Sequence, residues 1–331
     1  MNDSAAVVGM VFAGGLGLAA YHAGAYQAFS ERAVPLHWVA GSSAGAVTAA
    51  LIAGNRSEDR VERLREFWNF PPEHFSAGPW RHLYGWMGAV RTRLVGSAGH
   101  FHPRIPSLNP FGFRSLYDLS PMKARLARLI DFGQLNSGEI RICVAATDIE
   151  TGDPVIFDSR KLPIEMDHVL ASCGFLPEFA PIELGGRLLG DGGLSLNAPF
   201  DPIMEADAQS DLLLYVIDLY ARDGMRPDTL EAAAERKNDL LFGNQTFIRL
   251  KYCTELRKLR RKLRDGQAES VGEKILLLSY RPGREEPGPE KSFELSTTAF
   301  AHRWNAGFLD MQYSEQASQS GDIIMVRRAQ T

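Results

Sequence analysis

One short segment limits the possible folds of this chain more than any other. A mostly apolar stretch, Leu36 to Ala40, leads into the pattern Gly-x-Ser-x-Gly at residues 41–45 and then into small residues typical of a helix. Strand, tight turn and helix in this order make a nucleophile elbow, which holds its central side chain in a strained conformation at the helix N-terminus. Gly41 and Gly45 lack the Cβ atoms that would collide where the chain reverses. Ser43, at the centre, is therefore the candidate nucleophile.

The elements around this segment alternate between strands and helices. The apolar run from Ala5 to Ala13 predicts a buried strand, and a glycine-rich loop and a helix from about Ala19 to Ser30 follow it. This N-terminal stretch lacks the basic start of a signal peptide, so we expect it to be part of the fold. The order strand, helix, strand, helix predicts a largely parallel sheet covered by helices on both faces.

Composition and charge exclude several classes of protein. The 331 residues are 45% hydrophobic and 23% charged, which is ordinary for a globular chain with a large core. A net charge of −4 argues against nucleic acid as a general partner. Cys143, Cys173 and Cys253 fit no metal-ligand pattern and predict buried thiols in a reducing compartment, the cytoplasm. No apolar run reaches the roughly 18 residues of a membrane span, and nothing indicates a metal or organic cofactor.

The chain divides into regions of different character. Residues 1–210 are predicted to form a catalytic core, and residues 211–331 to supply strands and helices that complete or extend the same domain. Residues 70–115, rich in Pro, Gly and aromatic residues and weakly periodic, predict an insertion or lid. The aromatic residues from Trp68 to Trp86 suit a lid that meets lipid and equally a lid that packs on the core: Trp68, Phe70, Phe75, Trp80, Tyr84 and Trp86.

A long helical stretch is predicted between Leu230 and Arg264. Its last part, residues 256–264, is strongly basic and has leucines at positions i, i+3 and i+7. Two interpretations remain open for this part. It is either a solvated helix face with a stripe of core leucines or a surface that rests on anionic lipid.

A serine hydroxyl is a weak nucleophile and needs a base. Among the eight histidines, only His302 comes late in the chain, where the histidine of a triad normally lies, and its predicted helix is a poor place for a catalytic loop. Asp191, which follows a strand-like run and precedes Gly192 and Gly193, is the better candidate. Asp-Gly-Gly taken alone is more often a hairpin turn, so its meaning depends on context.

The context is a glycine-rich loop after the first strand, Gly-x-Ser-x-Gly after the second, and Asp-Gly-Gly about 150 residues later. This combination resembles the patatin-like phospholipase family of lipid acyl hydrolases. The likeness covers roughly residues 7 to 205 and includes Ala20-Tyr21-His22-Ala23-Gly24, the stretch Ala171 to Pro181, and Leu194 to Pro199 with its Asn197. The later part looks like a bacterial branch of the family with a long C-terminal helical extension.

The resemblance implies a fold, an activity and a set of site residues. The fold is a three-layer α/β/α sandwich with a mostly parallel central sheet. The activity is hydrolysis of acyl-ester lipids by a Ser43–Asp191 dyad through an acyl-serine intermediate, with peripheral contact to a membrane surface. Weakly active or inactive binding modules, acyltransferases and polyester hydrolases remain as alternatives, and the sequence does not indicate an oligomeric state.

The resemblance also implies that the glycine loop forms the oxyanion hole through backbone amides at a helix N-terminus, at Gly14, Gly15, Leu16 and Gly17. The family usually has three glycines, any residue, a basic residue or leucine, and a glycine. Here Leu16 replaces the third glycine and Ala19 the last. A positive φ at the third position would strain Leu16, and Gly17 compensates if the loop shifts by one residue.

Overall fold

A central β-sheet organises the computed structural model, which describes residues 6–32, 34–69, 81–104, 115–205, 211–265, 272–282, 291–316 and 322–327. Within these residues the strands are, in chain order, β1 (Val7–Phe12), β2 (Trp38–Ser42), β3 (His102–Pro103), β4 (Tyr117–Asp118), β5 (Arg141–Asp148), β6 (Pro154–Asp158), β7 (Ile182–Leu184), β8 (Arg187–Asp191), β9 (Leu212–Asp218), β10 (Glu273–Ser279) and β11 (Ile323–Val326).

The α-helices of the same residues connect and cover these strands. They are α1 (Ala20–Ser30), α2 (Ala44–Ala53), α3 (Arg60–Phe67), α4 (Arg81–Val95), α5 (Ser120–Leu129), α6 (Phe132–Leu135), α7 (Met166–Ala171), α8 (Asp201–Glu205), α9 (Leu230–Asp265) and α10 (Thr297–Tyr313). Short 3₁₀ helices lie at Leu16–Ala19, Gly192–Leu194 and Lys291–Phe293.

The main sheet is mostly parallel. In the described part of the chain its strand order is β11-β10-β9-β1-β2-β5-β8-β7, and β6 also pairs with β5. All neighbours from β11 to β5 are parallel, whereas β6, β7 and β8 pair in antiparallel fashion. β3 and β4 form a separate antiparallel pair. Strands β9 to β11, which come from the last third of the chain, therefore belong to the same sheet as β1 and β2.

Helices cover both faces of this sheet. Met10 and Phe12 of β1 pack in one apolar core with residues of α1, α2 and α10, while Val11 between them packs in a second core with residues of α8 and α9. Because alternate residues of a strand point to opposite faces, the two cores lie on opposite sides of the sheet. The three-layer α/β/α sandwich with a mostly parallel sheet is confirmed.

The pairing of β5 decides where the two motif-bearing strands meet. Residues 141–145 of β5 pair with β2, and residues 143–147 pair with β6, so these two partners occupy opposite edges of β5. Residues 146–148 pair with β8 and overlap the part held by β6, which places β8 on the edge used by β2. Ser42 lies opposite Ala145, and Asp191 lies opposite Ala146. The chain that follows β2 therefore meets the end of β8.

Candidate active site

Ser43 lies in the turn between β2 and α2, at the C-terminal end of the strand. Its backbone has φ 55° and ψ −125°, a conformation that non-glycine residues rarely adopt. A Cβ atom on Gly41 would overlap the backbone of Gly45, and one on Gly45 would overlap the carbonyl of Phe12. The close approach of β1, β2 and α2 at this turn therefore requires glycine at both positions.

A short chain of hydrogen bonds fixes the Ser43 backbone. The Ser43 amide donates to Ser172 Oγ over 2.8 Å, and the Ser172 hydroxyl donates to the carbonyl of Ala145 in β5. Ser172 itself is fully buried. The sequence placed it in the stretch that resembles the family but gave no sign of this contact, because it depends on a residue 129 positions away.

Asp191 ends β8, and its carboxylate lies beside the Ser43 side chain. The Gly193 amide donates a hydrogen bond to Asp191 Oδ1 over 2.7 Å. Burial raises the pKa of Asp191 to about 7, and the interactions with the Ser43 side chain and the Gly193 amide oppose that rise. A pKa near the ambient pH suits a group that both accepts and returns a proton.

The glycine loop lies beside this pair and begins a 3₁₀ helix. The Leu18 amide donates to the Gly15 carbonyl over 3.1 Å, so the amides of Gly15, Leu16 and Gly17 belong to the first turn. Amides of a first turn have no acceptor within the helix and can bind a negative charge there. The Gly14 amide differs, because it donates to both the side-chain and the backbone oxygen of Asn197, each at 3.1 Å. The amides of Gly15, Leu16 and Gly17 therefore have no acceptor within the helix, whereas that of Gly14 is engaged by Asn197.

Leu16 adopts φ 50°, in the left-handed region, at the position where the family usually has glycine. Such a conformation costs a non-glycine residue roughly 1–2 kcal/mol. The Leu16 side chain packs against a small aromatic cluster that includes Phe101, Phe179 and Phe293, which offsets part of this cost. The loop therefore keeps a backbone shape typical of glycine without having glycine there.

A buried arginine from the C-terminal part of the chain binds the glycine loop. Arg303 of α10 is fully buried, and its guanidinium donates to the carbonyls of Gly17 (3.0 Å), Glu294 (2.8 Å) and Lys291 (2.8 Å). The Glu294 carboxylate lies 3.8 Å from the same guanidinium. This contact joins the C-terminal third of the chain to the glycine loop, and no local pattern around Arg303 predicted it.

The glycine loop, Ser43, Asp191 and Asn197 line one wall of a cavity of about 290 Å³. The other walls are largely apolar and come from six regions of the fold: Phe67, Trp68, Phe101, Leu119, Met122, Phe175, Phe179, Phe242, Phe293 and Leu295. A mostly apolar cavity with a few convergent polar groups suits a ligand that combines a hydrocarbon chain with an ester.

Part of the predicted insertion lies against this cavity. α4 falls within residues 70–115, and its Arg93 lines the cavity. The weak periodicity of this region did not predict the helix. Of the aromatic residues from Trp68 to Trp86, Trp68 packs in the core and Trp86 is 47% exposed. Phe70, Phe75 and Trp80 lie outside the described residues, and the Tyr84 side chain is also not described.

The buried histidines near the cavity do not resemble a catalytic base. His22 packs on Phe12, with ring centroids 5.3 Å apart, and burial lowers its pKa to about 3. His100 stacks on Trp68 and contacts Ser97 Oγ at 3.1 Å, and burial lowers its pKa to about 3 as well. Both imidazoles are thus neutral at pH 7 and packed among aromatic rings.

In the part of the chain that the structure describes, no group of three or more His, Cys, Asp or Glu side chains is arranged to hold a metal ion. The helices of the described chain also include none long and apolar enough to cross a bilayer.

Known proteins resemble this chain to different degrees. The solved structure of VipD from Legionella pneumophila matches with 12% identity and a TM-score of 0.45, over 93% of this chain and 66% of VipD. A chain of the ExoU–SpcU complex from the type III secretion system of Pseudomonas aeruginosa matches with 18% identity and a TM-score of 0.28, over 76% of this chain and 52% of that one. This chain thus spans less than two thirds of either. No curated protein matches it.

A family model gives the decisive comparison. The model described as patatin-like phospholipase matches residues 10–204, which include the glycine loop, the Ser43 turn and the Asp191 loop. The predicted resemblance is confirmed, and the match supports lipid hydrolase activity. Because it covers more than half of the chain, this protein belongs to the patatin-like phospholipase family.

Proposed function

We propose that this protein is a serine lipid acyl hydrolase of the phospholipase A, lysophospholipase or esterase type, with Ser43 as nucleophile and Asp191 as base. The observation that carries the proposal is the placement of the Ser43 side chain beside the buried Asp191 carboxylate, at the wall of a largely apolar cavity. A nucleophile, a base within hydrogen-bond reach and nearby amide donors are the parts that acyl transfer needs.

In the proposed first step, Ser43 Oγ attacks the ester carbonyl carbon while Asp191 takes the hydroxyl proton. The carbonyl oxygen becomes negative and accepts hydrogen bonds from the amides of Gly15, Leu16 and Gly17. One such donor typically contributes about 2.7–4 kcal/mol to lowering the barrier. Collapse of the tetrahedral intermediate breaks the ester bond, and the leaving alcohol takes the proton from Asp191.

In the second step, water attacks the acyl-Ser43 carbonyl and gives a proton to Asp191. The same amides stabilise the second oxyanion. When this intermediate collapses, Ser43 regains the proton from Asp191 and the fatty acid leaves. Asp191 begins and ends the cycle as a carboxylate, so its pKa of about 7 predicts activity that rises through neutral pH.

The proposal is tested with serine substitutions and a fluorophosphonate that labels activated serines. Ser43→Ala should lose labelling and hydrolysis of a nitrophenyl ester. Ser42→Ala is the matched control, because the adjacent Ser42 hydroxyl is buried and outside the cavity lining. Full turnover by Ser43→Ala, or by Asp191→Asn, would contradict the proposal.

A binding module without catalysis is the main alternative, and its motivation is the replacement of glycine by Leu16. The φ of 50° at Leu16 favours the hydrolase, because the loop retains the conformation that presents its amides. The two proposals differ in the labelling experiment. Absence of covalent capture at Ser43, together with intact binding of lipid vesicles, would support the binding module.

A further inference from the structure

The outer face of α9 carries a row of exposed apolar side chains. Six of them share this face, and each is between 50% and 87% exposed: Leu241, Ile248, Tyr252, Leu256, Leu259 and Leu263. At 3.6 residues per turn they form one stripe about 33 Å long, which we call the α9 stripe. Leu256, Leu259 and Leu263 are thus not core residues, and the interpretation of this segment as a core stripe is wrong.

Basic side chains border the α9 stripe on both sides. Lys251 and Lys262 lie on one side, Arg260 lies on the other, and all three are exposed. In the described part of the chain, no carboxylate forms an ion pair with any of them. Residues 249–265 contain eight basic and two acidic residues, in a chain whose net charge is −4. Positive charge is therefore concentrated along this one helix.

Other basic residues of α9 hold the helix on the body of the protein. Arg249 pairs with Asp201 at 2.8 Å, and Arg257 pairs with Glu273 and donates to the Met204 carbonyl. These contacts fix the rotation of the helix, so the α9 stripe points outward.

We propose that the α9 stripe docks on the surface of an anionic lipid bilayer. An apolar face bordered by Lys and Arg lies in the interface of such a bilayer, with its basic side chains at the lipid head groups. Tyr252, with an apolar ring and a polar hydroxyl, suits the same depth. A second copy of the chain fits this face less well, because pairing two such helices would bring their basic borders together.

The docked helix also reaches the cavity. Asn238 and Phe242 of α9 line it, and Gln245 accepts a hydrogen bond from the Asn197 amide next to the Asp191 loop. Docking through α9 would therefore bring the cavity close to lipid. The inference deepens the proposed function by placing the enzyme on its substrate surface, although the docking uses none of the reacting groups.

The test measures co-flotation with vesicles, using the Ser43→Ala protein so that lipid stays intact. Vesicles of phosphatidylcholine with one third phosphatidylglycerol should bind it, and vesicles of phosphatidylcholine alone should not. Lys251→Gln/Arg260→Gln/Lys262→Gln should weaken binding about 100-fold, since each basic residue near an anionic surface contributes roughly fivefold. Leu259→Gln/Leu263→Gln should weaken it at least about tenfold.

Arg160→Gln/Lys161→Gln, which removes two positive charges elsewhere, is the charge control. Both side chains are exposed on a loop after β6, several strands from β9 and β10 in the sheet order. This variant should bind vesicles like the parent. Failure of Ser43→Ala to bind anionic vesicles, or equal binding by the triple variant, would overturn the inference. So would a dimer in sedimentation equilibrium that Leu259→Gln/Leu263→Gln dissociates without affecting flotation.

Hydrolysis of a soluble nitrophenyl ester by the same α9 variants, made with Ser43 intact, separates the two proposals. Full ester hydrolysis with lost flotation supports docking through α9. If the parent neither hydrolyses the ester nor reacts with fluorophosphonate, while flotation follows the predicted pattern, the proposed function fails and the docking inference stands.

Discussion

Asp191 provides the sharpest test of the proposed chemistry, because the same burial that suits it to catalysis should destabilise the fold. Burial raises its pKa from 3.8 to about 7. Between those two values the folded protein binds a proton that the unfolded chain has lost, so stability should fall as pH rises from about 4 to about 7. At about 1.4 kcal/mol per pH unit, the full loss attributable to Asp191 is about 4 kcal/mol above pH 7.

Asp191→Asn removes this charge but keeps the shape of the side chain. We expect the variant to be catalytically inactive and, at pH 8.5, more stable than the parent by up to about 4 kcal/mol. The gain should shrink to about 1 kcal/mol or less near pH 4.5, where the folded parent is itself protonated. Urea unfolding at the two pH values measures both differences, and kcat/KM of the parent should reach half its maximum near pH 7.

Asp218 supplies the matched control. It lies at the end of β9, is 1% exposed, and burial raises its pKa to about 7 as well, but it does not line the cavity. Asp218→Asn should therefore change the pH dependence of stability and leave the midpoint of kcat/KM near pH 7. An Asp191→Asn protein no more stable than the parent at pH 8.5, or a parent kcat/KM that is flat between pH 5.5 and 8.5, would refute the reasoning.

Three further substitutions test how the site is held together. Gly45→Ala should lower the free energy of unfolding by roughly 3 kcal/mol and abolish fluorophosphonate labelling, because the new Cβ would overlap the Phe12 carbonyl. Gly138→Ala, at positive φ in open space, is the control and should cost only about 1 kcal/mol. Equal losses of stability in urea unfolding would contradict the close packing of the Ser43 turn. Ser172→Ala leaves the Ser43 amide without its acceptor and should cost about 1–3 kcal/mol and slow labelling, so an unchanged labelling rate would exclude a positioning role. Arg303→Met should destabilise the protein by roughly 3–5 kcal/mol, and Arg303→Lys should recover part of that stability and of kcat. A fully stable Met variant would show that the hydrogen bond from Arg303 to the Gly17 carbonyl does not stabilise the glycine loop.

The fold was predictable where apolar patterns are local. The sequence pattern predicted β1 from the apolar run Ala5 to Ala13 and α2 from the small residues after Ser43. Both predictions succeeded because each element is one continuous stretch of buried residues. α4 escaped prediction because it lies in a region rich in glycine, proline and aromatic residues with weak periodicity. The leucines of α9 were interpreted as a core stripe but are exposed. Helical spacing shows that side chains share a face of the helix, but it does not show whether other parts of the protein cover that face.

The site was predictable only as far as its motifs are contiguous. Ser43 and Asp191 are marked by neighbouring glycines, which short stretches of sequence reveal. The contacts of Ser172 with Ser43 and of Arg303 with Gly17 join residues 129 and 286 positions apart, and no local pattern encodes them. The engagement of the Gly14 amide by Asn197 likewise depends on two distant segments, so the sequence assigned Gly14 to the oxyanion loop with its neighbours.

Because β2 and β8 pair with the same edge of β5, substitutions and changes of length in β5 should affect the site differently. The spacing between Ser43 and Asp191 is set by a single step of backbone pairing, from Ala145 to Ala146. Substitutions on either face of β5 that keep side-chain volume and polarity leave this pairing step in place. A one-residue insertion or deletion within residues 141–148 would instead turn the following side chains to the other face and break the pairing step. This strand should tolerate changes of residue type far better than changes of length.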